Sequence, residues 1–200
     1  MDLFSYEVKI PKERVAVLIG KQGETKQKLE EETSSSIEVD SKEGHVTLKG
    51  KEALNLYIAR EIIRAVARGF NPEIALRLLH QDYTLEFINL KEQAGDSKNA
   101  LLRIKGRIIG KEGKTRDFIE QMTETRVCVY GKTVGFIGTA EHVSVARKAV
   151  ASLIKGSPHS SVYKWLEKNR KELKHREFMR HDEFKEQVKD KEEYEEFKGL

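Results

Sequence analysis

LIGKQGETKQKLEEET at residues 18–33 and IIGKEGKTRDFIEQMT at residues 108–123 are two copies of one phrase. In register they share two glycines three places apart, a lysine after the first glycine, a threonine two places past the second, an aliphatic position and a closing threonine. A recurrence of that length marks an internal repeat. In each copy an aliphatic run with helical spacing (Val15, Leu18 and Ile19; Leu102, Ile108 and Ile109) stops at a glycine. Glycine takes φ > 0 freely and ends a helix. The second glycine and a charged helical segment follow, so each phrase reads as helix, tight turn, helix.

That turn has a chemistry. Without a Cβ at Gly20, Gly23, Gly110 or Gly113, another backbone can approach, and the helix beyond offers free N–H groups and a positive dipole end. A phosphate suits such a place. Lys21 and Lys111 sit inside the turns, and Lys26 and Arg116 occupy matching places in the next helix. Cations at a helix N-terminus oppose its dipole and are poorly placed unless an anion is near. The plain alternative is an ordinary helix C-cap beside a solvated basic face; two copies flanked by cations favour contact with a polyanion.

The chain has 200 residues, of which 38% are hydrophobic and 35% charged, with a net charge of +4. That content supports one large or two small cores, and the repeat decides for two. Charge is unevenly spread. Residues 98–116 hold Lys98, Arg103, Lys105, Arg107, Lys111, Lys114 and Arg116 against Glu112 alone, whereas residues 182–196 are mostly acidic. A basic centre and an acidic tail point to a polyanionic partner. The single cysteine, Cys128, excludes a disulfide framework and fits a reducing compartment. No apolar run reaches membrane-spanning length, so the expectation is a cytoplasmic protein without membrane contact.

The alternation in LFSYEVKI at residues 3–10 predicts a strand with Phe4 or Tyr6, Val8 and Ile10 facing inward. Helix, turn and helix follow to about Thr33, then a hairpin with Ile37 and Val39 answered by Val46 and Leu48. A long amphipathic helix from about Lys51 to Arg68 buries Leu54, Ile58, Ile62, Ala65 and Val66. Asn71-Pro72 starts a short helix, expected to buttress the two units, with Asn71 as its cap. The second unit repeats the order from the strand YTLEFINL at residues 83–90. It has a flexible insert at residues 93–99, a tighter hairpin at Gly131-Lys132, and a closing helix capped by Thr139 with Val143, Ala146, Val150 and Ile154 inward. A charged helix starts after Ser160, with Val162, Trp165, Leu166, Asn169 and Leu173 on one face and order expected to about Lys174. The fold class is α+β, divided as residues 1–81, 82–158 and a helical extension 159–200.

Strand, helix, GxxG, helix, strand, loop, strand, helix resembles a type I KH domain, twice in tandem. The matching residues are IGKxG, an aliphatic residue six places beyond (Leu29, Ile119), a threonine (Thr33, Thr123) and a β residue (Ile37, Val127). Two departures stand out. Lys26 and Arg116 occupy a place usually aliphatic, and Ser34 and Glu124 replace a usual glycine. The tandem, the phrase KGRIIGKEGKTRDFIE and the segment SPHSSVYKWLE further resemble the partner-of-Nob and Krr group of ribosome assembly factors, most closely its short archaeal form. That resemblance implies binding near the 3′ end of small-subunit ribosomal RNA. It also implies two protein partners, the endonuclease Nob and the alpha subunit of translation initiation factor two.

A KH groove takes about four unpaired nucleotides. Transferred here, Gly110, Lys111, Glu112 and Gly113 with Lys114 and Arg116 hold phosphates. Ile108, Ile109, Val127 and Val129 form an apolar floor under the bases, and Arg107, with Arg103 and Lys105, extends the track. Gly20, Lys21, Gln22, Gly23 and Lys26 form a second possible RNA site, weakened by Glu24 where the other copy has Lys114. Nothing points to catalysis, a metal or a cofactor: the histidines are scattered, and GKEGKT lacks the spacing of a nucleotide-binding P-loop. The competing class is a protein-binding adaptor with secondary RNA contact.

Overall fold

The computed structural model describes the backbone of residues 4–198 and the side chains through Arg176, together with Phe178 and Met179. The first unit runs β1 (Phe4–Lys9), α1 (Lys12–Ile19), α2 (Glu24–Thr33), β2 (Ser35–Asp40), β3 (His45–Gly50) and α3 (Ala53–Ala67). A one-turn helix, α4 (Pro72–Ala75), and a 3-10 turn at Leu76–Leu79 lead to the second unit. That unit runs β4 (Tyr83–Asn89), α5 (Lys91–Ala94), α6 (Lys98–Ile109), α7 (Lys114–Thr123), β5 (Arg126–Tyr130), β6 (Thr133–Thr139) and α8 (Ala140–Ile154), and α9 (His159–Lys198) follows. The sheets are antiparallel with orders β1-β3-β2 and β4-β6-β5, so the repeat extends to topology and the α+β, two-unit reading holds.

Each unit buries one face of its sheet under its helices. In the second, Val127 and Val129 of β5 stand opposite Phe136 and Val134 of β6 and point into a core with Leu90, Ile108, Ile119, Val143 and Val150. The first core gathers Val15, Leu18, Leu29, Ile37, Val46, Leu48, Leu56 and Ile62. On α3 Ile62, Ala65 and Val66 are buried as expected and Ile58 packs half-buried on the core, while the start of the helix differs. Leu56, Ala59, Ile62, Ile63 and Val66 face inward, which turns Leu54 outward at 68% exposure. Leu102 likewise lies on the outer face of α6, and Phe4 and Tyr6 are exposed because β1 is an edge strand with little packed over it. Tyr6 instead lies under the Arg60 guanidinium, 5.4 Å from it. Asn71 and Thr139 make no side-chain cap. Ser97 does, accepting from the Ala100 amide, and much of the insert expected to be flexible is built into α5 and the start of α6.

The two units share a packed interface. The face of the second sheet that its own helices leave bare meets the first unit: Ile137 is buried in the first core, and Leu85, Phe87 and Cys128 pack against it. Leu78, from the short segment between the units, lies in that core too, so the expected buttress is present. On the far side α9 lies against α7 and α8, burying Val162, Leu166 and Leu173 while Trp165 stays at the surface. The α9 backbone is helical to Lys198, beyond the Lys174 limit expected; the acidic side chains after residue 180 lie outside the described residues.

Candidate nucleic-acid interface

The two turns superpose in their dihedral angles. Gly20 and Gly110 have φ of 76° and 73°, Gln22 and Glu112 sit in the left-handed region at 55° and 56°, and Gly23 and Gly113 follow at 85° and 81°. Only the first glycine of each turn is demanded by packing. A Cβ on Gly110 would stand 2.8 Å from Thr115 Cβ and overlap its hydroxyl, and Thr25 does the same to Gly20. The second glycine faces open space: nothing lies within 4 Å of a Cβ on Gly23, and only the ends of Arg116 and Asp117 approach one on Gly113. Backbone access to the turn is therefore on the Gly113 side.

Charge is disposed differently in the two units. In the second, Lys111 is exposed with no ion pair among the described residues, Lys114 lies 3.6 Å from Glu112, and Arg116 is bonded to its neighbour Asp117 at 2.8 Å. That bond chiefly raises the Arg116 pKa, keeping the guanidinium a fixed cation. In the first unit Lys21 is likewise exposed with no ion pair among the described residues and Lys26 is paired with Glu30 at 3.4 Å, so the difference lies at the next position, where Glu24 stands in place of Lys114. The second turn is the more available to an anion.

Three expected site residues do other work. Ile108 and Val127 are 0% and 5% exposed, so they belong to the core and hold the groove surface from beneath; Ile109 and Val129, half-buried, are the apolar pair that can be reached. Arg107 is a strut. Its guanidinium donates to the carbonyls of Leu153 (3.0 Å) and Ser157 (2.6 Å), satisfying acceptors at the end of α8. Arg14 does the same for Val66 and Phe70 at the end of α3, at 2.8 and 2.7 Å. These two arginines do not align in the repeat, and the device shows in neither phrase.

β5 is the open edge of its sheet, but its first edge amide is occupied. Val127 N–H donates to Glu120 Oε1 at 2.6 Å, and Ile37 N–H to Glu30 Oε1 at the same distance in the first unit. Edge groups recur every second residue, so the Val129 backbone presents the next donor and acceptor on that side. Sequence reasoning missed Glu120, Thr115 and Tyr163. Thr115 Oγ1 lies 2.8 Å from the Tyr163 hydroxyl, and His159 Nε2 lies 2.9 Å from the Arg107 carbonyl, so α9 braces the turn from behind. The repeat did carry a signal for two of these, since Thr25/Thr115 and Glu30/Glu120 recur in register.

Among the described residues no helix is long and apolar enough to cross a membrane. Residues 5–65 match the KH domain family, and residues 84–171 match the eukaryotic-type KH domain, type I. A KH domain-containing protein of Methanocaldococcus jannaschii is 46% identical over 175 residues, covering 86% of this chain and 76% of that protein. The structure of Dim2p from Pyrococcus horikoshii superposes with a TM-score of 0.78 at 45% identity, covering 82% of this chain and 99% of that one. A second structure from the same organism, a complex of a/eIF2alpha, aDim2p and rRNA, contains a chain that matches with a TM-score of 0.80 at 44% identity, over 85% of this chain and 96% of that one. The pre-rRNA-processing protein PNO1 of Candida albicans is 38% identical over 107 residues, 52% of this chain and 38% of that protein. With both phrases seated in KH units, the M. jannaschii relative matched over three quarters of its length and the P. horikoshii Dim2p chains over nearly all of theirs, the chain belongs to the tandem KH-domain family of the archaeal Dim2p and eukaryotic PNO1 proteins.

Proposed function

We propose that this protein is a cytoplasmic small-subunit ribosome biogenesis factor that binds single-stranded ribosomal RNA, at its 3′ end, through the GxxG groove of the second unit. The observation that carries the reading is the turn at Gly110 to Gly113. Lys111, without an ion pair among the described residues, and an accessible Gly113 backbone meet there at the start of a ten-residue helix, the arrangement that receives a phosphate. The solved P. horikoshii complex contains rRNA, and the curated PNO1 relatives are pre-rRNA-processing proteins, which supports ribosomal RNA as the ligand. Phosphate contacts would fix the strand; Ile109 and Val129 would pack on bases of any sequence, and the open backbone edge at Val129 would choose among them. The protein acts by binding, with no catalytic step of its own. The working division is a first unit to residue 81, a second from 82 to 158, and α9 as an extension that braces the second.

Two protein partners fit this role. The alpha subunit of the initiation factor is present in the P. horikoshii complex, and the endonuclease Nob is the one the family resemblance implies. The first unit, with Glu24 where the second has Lys114 and with Lys26 of α2 neutralised by Glu30, is the better candidate for protein contact, in keeping with an adaptor role beside RNA binding.

The test is Lys111→Asp with Glu112→Asp, which turns the neutral Lys-Glu pair of the turn into two negative charges while leaving both glycines intact. Crosslinking and sequencing of bound RNA in cells should show a peak at the 3′ end of small-subunit rRNA, lost in the variant. Diffuse signal over many RNAs would remove the ribosomal assignment, and an unchanged peak would remove the groove assignment.

A further inference from the structure

A second basic concavity lies between the two units, outside the GxxG groove. It encloses a volume of about 780 Å³ and is walled by β1, α3, β4, α5, the β5–β6 turn and α8. Phe87 lines it, with the Arg64 guanidinium 5.8 Å from the ring centre. Cations converge on it from both units, and only Glu7 and Glu92 among its lining residues are acidic.

The pairing of these cations is informative. Arg64, Arg147 and Lys91 are held by Glu61, Glu86 and Asp96 at 2.7, 3.4 and 3.2 Å. Lys9, Arg68 and Lys132 make no ion pair or side-chain hydrogen bond among the described residues, although each comes from a different element and lines the same space. Like charges gathered in one concavity repel one another, and low-dielectric walls strengthen the field. An arrangement built from two units at once is relieved by a polyanion lying in it. Lys132 sits at the β5–β6 tip, held in place because its carbonyl accepts from the Leu90 amide at 2.8 Å. β5 is the groove strand, so the tip joins the groove to the cleft.

We infer that the inter-unit cleft is a second RNA site, which holds the phosphate backbone of the strand flanking the nucleotides in the GxxG groove, through Lys9, Arg68 and Lys132. It rests on the reading that the Gly110–Gly113 turn holds RNA. Contacts from lysine and arginine to phosphates carry no sequence information, so the cleft extends the footprint by reading charge.

The experiment uses the full chain and two single-stranded RNAs, a tetranucleotide that fills one groove and a twelve-nucleotide strand carrying the same core with 4-thiouridine in each flank. Lys9→Glu, Arg68→Glu and Lys132→Glu are combined; all three side chains are exposed, and thermal melting checks the fold. The longer RNA should bind the parent protein more tightly, and the triple variant should lose that gain while keeping tetranucleotide affinity. Three phosphates released should make the slope of log K against log salt shallower by roughly 2. Flank crosslinks should map to residues 87–92 and 132. Equal binding of the long RNA by parent and variant, or crosslinks confined elsewhere, would overturn the cleft. If the variant binds both RNAs normally but loses a polyglutamate probe, the cleft serves an acidic protein segment and the inference is also overturned. Failure of the groove reading appears separately, as tetranucleotide binding that Lys111→Asp with Glu112→Asp leaves unchanged.

Discussion

The Tyr163 hydroxyl lies 2.8 Å from Thr115 Oγ1, and Thr115 is the residue that fills the space beside Gly110. The first residues of α9 therefore brace the turn through a threonine that recurs in both phrases. Tyr163 also packs on Phe118 of α7, with ring centres 4.5 Å apart. Tyr163→Phe removes the hydrogen bond and keeps the stacking, and should cost about 1 kcal/mol in urea unfolding. Tyr163→Ala removes both and should cost more than Tyr163→Phe. If the two variants unfold alike, the ring contact contributes nothing and α9 is merely adjacent.

The two glycines of a turn should respond differently to alanine. At Gly110 a methyl meets Thr115, and φ of 73° with ψ of 179° is backbone that essentially only glycine adopts, so overlap adds to a strain of roughly 1–3 kcal/mol. At Gly113, with a φ of 81°, only left-handed strain applies, because a Cβ there meets nothing closer than 3.7 Å. Gly110→Ala should thus be the more destabilising, while Gly113→Ala should stay folded and weaken RNA binding by crowding the approach. Melting temperatures and RNA titrations of the pair check this; equal melting would contradict the packing account.

Arg107 and Arg103 separate a strut from a surface cation. Arg107 supplies two charge-assisted bonds to carbonyls at the end of α8, each typically about 1.5–3 kcal/mol. Arg107→Ala should lower stability by roughly 2–3 kcal/mol, and Arg107→Lys should not restore it, because an ammonium cannot span both acceptors as the planar fork does. Arg103, exposed beside the turn, should be neutral for stability when replaced by alanine and weaken RNA binding in low salt. A loss of RNA affinity by Arg107→Ala at unchanged stability would return Arg107 to the phosphate track.

Most of the fold was legible because the repeat states it twice: two glycines, a threonine and an aliphatic ladder at fixed spacing leave few arrangements open. The site was legible only where its chemistry is local in sequence. Lys111 and Gly113 show in the phrase itself, whereas the strut role of Arg107 depends on carbonyls near residues 153 and 157, which no local pattern reveals. Ile108 and Ile109 are neighbours of the same type, and one step of helix phase puts the first in the core and the second at the surface. Ser34 and Glu124, where related domains have glycine, adopt the left-handed φ of 47° and 51° that explains the usual glycine. The inter-unit cleft could not be read at all, since its walls come from segments with no sequence relation.

The interface between the units carries its own pH dependence. Burial pushes the Cys128 thiol above its ordinary value of 9.0, and the hydrogen bond to Glu13 pushes the Tyr130 phenol above 10.0. Both are acids that hold their protons more tightly in the folded chain than in the unfolded one. Their contribution to stability is therefore complete below the unfolded values and is lost as pH rises through the folded ones. The urea midpoint of the protein should begin to fall near about pH 9 and go on falling above about pH 10. The combined variant Cys128→Ala with Tyr130→Phe should start lower, since it removes the Glu13 bond, and decline less steeply. Alkylation of Cys128 by iodoacetamide at neutral pH should be slow, because the thiolate is the reactive form. Parallel midpoint curves for parent and variant would place the alkaline loss elsewhere in the molecule.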